Sequence, residues 1–99
     1  RKMTRIAEQV SALMKTLAHP KRLLILCQLA EEPRSVGELA RLLRMREAAV
    51  SQQLTLLRKD RLVATRRDGQ TIWYSLPRQD VRDLLRHLYE TYCAKPSRR

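Results

Sequence analysis

Aromatic residues are scarce in this 99-residue chain: Trp73, Tyr74, Tyr89 and Tyr92, with no phenylalanine. They cluster late and do not alternate with basic residues, which argues against an aromatic platform that stacks unpaired bases. Glycine is scarcer still, with two residues, leaving little for a phosphate-cradling loop. No Ser-His-Asp pattern and no paired catalytic carboxylates are present, so an enzyme is not expected. No apolar run approaches the roughly 20 residues of a membrane span. Arg1 to Thr16 contains no continuous apolar core of a signal peptide. The expected location is therefore cytoplasmic, with no membrane partner. There the two cysteines, Cys27 and Cys93, would rest as thiols rather than as a structural disulfide. Acidic residues are few as well: 10 against 21 lysines and arginines, a formal net charge of +11. That imbalance favours a polyanionic partner and supplies affinity without sequence preference.

What is present begins with Met45 to Asp60. Val50, Leu54 and Leu57 share one face of a helix. Ala48, Ser51, Gln52 and Thr55 form another face, small and polar, with Arg46 before it and Arg58 and Lys59 after it. Short donors and acceptors flanked by cations suit a helix lying in the major groove of double-stranded DNA. Ser51, Gln52 and Thr55 are the candidate base contacts; Arg46, Gln53, Arg58 and Lys59 are candidate backbone contacts. Upstream, Ser35-Val-Gly-Glu38 has the spacing of a capping box. It opens a short helix carrying Leu39, Ala40, Leu42 and Leu43, and a turn follows. Residues 35–60 thus read as a helix-turn-helix.

The flanks complete one domain over residues 1–99. Ile6, Val10, Leu13, Met14 and Leu17 make an apolar stripe on a first helix ending at residue 17. Pro20 starts a second helix, whose Leu23 to Leu29 run is apolar on nearly every side and so reads as buried. His19 before it reads as a cap or turn residue. Residues 62–76 hold two β-prone runs around Asp68-Gly69, a hairpin or wing, with Arg66 and Arg67 as candidate phosphate contacts and Trp73 at the core or its edge. Val81, Leu84, Leu85, Leu88, Tyr89 and Tyr92 mark a last helix over 78–94, and Lys95 to Arg99 reads as a basic tail. The class is mainly α with a small β-hairpin, a winged helix-turn-helix in the order α-α-α-α-β-β-α. Helices 1–17 and 78–94 carry more apolar surface than a small core needs, which predicts a homodimer and a near-palindromic DNA operator.

This order resembles the ArsR/SmtB family of winged-helix repressors over nearly the whole chain. The resemblance rests on Leu17-Ala-His-Pro-Lys-Arg-Leu23, Ser35-Val-Gly-Glu-Leu39, Val50-Ser-Gln-Gln-Leu54, Leu57-Arg-Lys-Asp60 and Ile72-Trp-Tyr-Ser75. It implies a repressor whose DNA binding answers to an inducer. The metal ligands known in many members are missing: Gly37-Glu-Leu-Ala40 has no cysteine, and Asp83 with His87 is only part of a zinc set. Neither a metal nor a cofactor is therefore expected.

One cysteine in the second helix and one near the end of the last is similar to the BigR, SqrR and HlyU branch. That likeness implies switching by reactive sulfur species or oxidants, with a disulfide or polysulfide bridge between Cys27 and Cys93. Lys21, Arg22 and Lys95 are candidates for stabilising a thiolate. A metal- or metalloid-responsive repressor, or a basic nucleic-acid-binding protein without an inducer, are the competing readings. The chain departs from the family at Arg46-Glu47-Ala48, which lacks a good helix cap. It departs again at Gln53, where many members have histidine, and at Arg61, which replaces a common turn glycine.

Overall fold

A computed structural model describes residues 1–93. The elements follow in the order α1 (Lys2–Leu17), α2 (Pro20–Glu31), α3 (Val36–Leu43), α4 (Glu47–Lys59), β1 (Ala64–Asp68), β2 (Thr71–Ser75) and α5 (Gln79–Tyr92). This is the expected winged helix-turn-helix order. The proposed tail at Lys95 to Arg99, and residue 94 of the expected last helix, lie outside the described residues.

Local chemistry accounts for the boundaries. Pro20 sits in the first turn of α2, where its missing N–H costs no helical hydrogen bond. Ser35 caps α3 reciprocally: its Oγ accepts from the Glu38 amide at 3.2 Å, and Glu38 Oε1 accepts from the Ser35 amide at 3.4 Å. Arg44 ends α3 in the left-handed region at φ 55°, and the Met45 amide then donates to the Ala40 carbonyl at 2.9 Å. That closed turn sets α4 against α3. As expected, α4 begins at Arg46 without a side-chain cap. Arg61 also lies at positive φ, 62°, where the family's glycine would be unstrained.

The core lies where α2, α3, α4 and α5 converge. Ile25, Leu26 and Leu29 meet Leu39, Val50, Leu54, Leu57, Val81 and Leu85, with Leu76 sealing the base of the wing. The reading of α2 as buried on nearly every side is corrected. Leu24 is exposed and Cys27 half-buried, because α5 covers only part of that flank. α1 contributes a single fully buried side chain, Leu17; Met3, Ile6, Val10 and Met14 remain exposed on the described surface.

The hairpin pairs antiparallel from Ala64 opposite Ser75 to Asp68 opposite Thr71. Its two-residue loop is thus Gly69-Gln70, one position later than an Asp-Gly turn. Gly69 takes φ 67° at the first loop position, the geometry of a Gly-X hairpin turn. Arg34, between α2 and α3, adds an antiparallel bridge to β2. Its amide donates to the Tyr74 carbonyl at 3.0 Å and its carbonyl accepts from the Tyr74 amide at 2.8 Å.

Candidate nucleic-acid interface and cysteine groove

Burial of Val50, Leu54 and Leu57 fixes which side of α4 faces outward. Ser51, Gln52 and Thr55 are all exposed on that side. Thr55 Oγ1 donates to the Ser51 carbonyl at 2.9 Å, so its proton is engaged and its lone pairs face out. Such a hydroxyl is an acceptor, suited to an exocyclic amine on adenine or cytosine. Gln53 sits apart: it is half-buried, and its Oε1 accepts from Arg22 Nε of α2 at 3.0 Å. Only its amide NH₂ is left for a phosphate.

The cations frame this face. Arg46 is exposed at the start of α4, and Arg58 and Lys59 are exposed in its last turn, where they also complement the negative end of the helix. Arg66 and Arg67 are exposed on β1. Thr55, Arg58 and Lys59 line a notch of about 400 Å³ whose far wall is Tyr74 of β2. Tyr74 is not among the contacts expected from residue type and spacing. Its position depends on the strand register and on the Arg34 bridge, which no local pattern reveals.

On the other side of α2, Cys27 and Cys93 line one groove of about 550 Å³ between α2 and α5. Leu24, Ala30 and Leu85 make its apolar wall, and Glu31, Arg86 and Tyr89 stand at its rim. Cys27 is half-buried and Cys93 exposed at the end of α5; both are free thiols. Burial pushes the Cys27 thiol above its ordinary pKa, and negative charge at Cys93 and at Glu31 pushes the same way. This is the reverse of the expected help from neighbouring cations. Arg22 is turned to Gln53, and Lys95 lies outside the described residues. Glu31 is itself held by Arg34 at 2.9 Å, and Arg34 is the residue bridged to Tyr74.

Asp83 is engaged by its neighbours along α5. Asp83 Oδ1 accepts from Gln79 Nε2 at 2.8 Å and from Arg86 at 3.2 Å. Among the described residues, no group of three or more His, Cys, Asp or Glu side chains could hold a metal ion. No helix among them is long and apolar enough to cross a membrane.

A helix-turn-helix with an outward polar face, cationic flanks and a basic hairpin defines a winged-helix DNA-binding protein. Residues 19–65 match the family model for bacterial regulatory proteins of the arsR family. The biofilm growth-associated repressor of Agrobacterium fabrum is 44% identical over 92 residues, covering 93% of this chain and 79% of that protein. HlyU of Vibrio cholerae, a transcriptional activator, is 38% identical over 91 residues, 92% of this chain and 84% of that protein. The structure of its reduced form superposes with a TM-score of 0.87, covering 93% of this chain and 97% of that one. A homodimeric winged helix-turn-helix DNA-binding domain from Mycobacterium bovis superposes with a TM-score of 0.75 at 30% identity, covering 91% and 83% of the two chains. The chain belongs to the arsR family of bacterial regulatory proteins, which are DNA-binding transcriptional regulators and not enzymes.

Proposed function

We propose that this protein is a cytoplasmic, homodimeric transcriptional repressor whose hold on its operator is released by thiol chemistry at Cys27 and Cys93. The observation that carries the reading is the shared groove, which gives both sulfurs access to one small reactant. Cys93 is the exposed sulfur and meets a persulfide first. Its thiolate attacks the outer sulfur of RSSH, releasing RS⁻ and leaving a persulfide on Cys93. Cys27, as thiolate, then attacks the inner Cys93 sulfur and expels HS⁻. The two protein thiols lose two hydrogens, and the persulfide is reduced to a thiol and hydrogen sulfide. Further sulfane equivalents would lengthen the bridge to a polysulfide.

Dimerisation rests on the exposed stripe of α1 together with Tyr89 and Tyr92 of α5 and on the homodimeric state of the M. bovis relative. Two-fold symmetry then presents two α4 helices to successive major grooves, about one DNA turn apart, on a near-palindromic operator. Ser51, Gln52 and Thr55 read base edges there, while Arg46, Gln53, Arg58, Lys59, Arg66 and Arg67 hold the backbone. Repression is the direction chosen because the A. fabrum relative is a repressor; the V. cholerae relative is an activator, so the sign is part of the test.

The test is intact mass after treatment with a persulfide donor, alongside binding to the promoter of its own gene. Loss of two hydrogens, or added sulfur with both thiols consumed, together with DNA release, is the expected result. Cys27→Ser and Cys93→Ser should bind DNA normally and not respond. Release persisting in both variants would place the switch elsewhere. A promoter reporter that rises on deletion of the gene supports repression; one that falls refutes it.

A further inference from the structure

α2 reaches both functional surfaces. Its C-terminal half lines the cysteine groove, and its first turn carries Arg22, which donates through Nε to Gln53 Oε1 on α4 at 3.0 Å. Among the described residues this is the one hydrogen bond between side chains that joins two helices. Both partners are half-buried, so the bond is sheltered from the competition with water that weakens exposed pairs. Charge assistance from the guanidinium strengthens it further. Gln53 directly follows Gln52, one of the exposed residues on the outer face, and precedes Leu54, which is fully buried. A tether at that position adds a directional restraint on rotation of α4 about its own axis to the non-directional burial of Val50, Leu54 and Leu57. Such a rotation would move Ser51, Gln52 and Thr55 together relative to base edges.

We propose that Arg22 is a positioning residue for sequence recognition: it sets the rotational seating of α4 through Gln53 and does not itself bind a phosphate. The fixed Nε–H of arginine holds Oε1 in one direction, and this orients the Gln53 NH₂ outward as well. The proposal does not depend on any chemistry at the cysteines.

The test is a double-mutant cycle with Arg22→Met, Gln53→Met and the pair, measuring affinity for the protein's own operator and for a random duplex over a range of salt concentrations. Removing a sheltered, charge-assisted bond predicts a loss of about tenfold on the operator for Arg22→Met. The random duplex should lose much less, and the salt slope should stay within half a unit of the parent. The double variant should be no weaker than the worse single one, because both single changes break the same bond. Should Arg22→Met not fold, as judged by thermal unfolding, Arg22→Lys takes its place in the cycle, keeping the charge and losing the fixed Nε–H. Equal losses on operator and random DNA, with a slope lower by about one unit, would make Arg22 a phosphate contact and overturn the proposal. Additive losses for the two single variants would overturn it too.

Discussion

Truncating the exposed stripe of α1 is the perturbation whose size the structure allows to be worked out. Ile6 and Val10 are 45% and 44% exposed, so the fold buries only about half of each. Fully burying such a side chain is worth about 1.5–3 kcal/mol, which leaves about 1 kcal/mol apiece for a partner surface to capture. Each position occurs twice in a two-fold dimer. The variant Ile6→Ala/Val10→Ala should therefore weaken dimerisation by about 3–4 kcal/mol, a rise of two to three powers of ten in the dimer dissociation constant. Neither residue belongs to the buried core, which α1 joins through Leu17, so the protomer should stay folded. Sedimentation equilibrium gives the dissociation constant, circular dichroism the fold, and a gel shift on one-half-site and two-half-site duplexes the consequence. Operator affinity should fall toward that of a single half-site. A dissociation constant within a factor of two of the parent, with the helices intact, would refute the assignment of this face to the dimer.

Further outcomes concern the Cys27 thiol, the DNA surface and the α3 cap. The alkylation rate of Cys27 should climb with pH and reach its midpoint above that of a free thiol, because burial and nearby negative charge favour the neutral form. Glu31→Gln removes one source of that charge and should move the midpoint down; a midpoint below the free-thiol value in the parent would contradict this. The same upward shift means the folded state gives up stability as pH rises beyond the unfolded thiol's pKa, and retains it below. Gln52→Ala should lose roughly 1–3 kcal/mol on the operator and little on random DNA. Arg67→Ala should weaken both alike and lower the salt slope by about one unit, and exchanged behaviour of the two variants would reverse the assignment of base and phosphate roles. Ser35→Ala removes the Oγ that accepts from the Glu38 amide, leaves the residue-35 amide free to donate to Glu38 Oε1, and should cost about 1 kcal/mol in thermal unfolding, with no change at the DNA surface other than through stability.

Features set by neighbours in the chain were legible in the sequence. The capping box at Ser35 and Glu38, the proline start of α2, the outward face at Ser51, Gln52 and Thr55, and the presence of a hairpin, though with its turn one residue later than expected, all follow from periodicity or from backbone chemistry over a few residues. The even apolar run of α2 misled, because hydrophobicity alone cannot say which flank another helix leaves open; Leu24 and Cys27 sit on that flank. The electrostatic help expected for a thiolate failed for a related reason. Arg22 is near Cys27 in sequence, but it is directed to α4, while Glu31, one turn further along α2, lines the same groove as the sulfur.

The order of elements, the polarity of the α4 faces and the cationic surround of that helix follow from residue type and spacing alone. What lies across from what is settled by packing of the whole chain. That packing brought Cys93 of α5 to the groove of Cys27, set Tyr74 opposite Arg58 and Lys59, bridged Arg34 to β2 and tied Arg22 to Gln53. Those meetings join residues far apart in the chain, and they are fixed by how Leu26, Leu54, Leu76 and Leu85 pack together in one core, which no local pattern encodes.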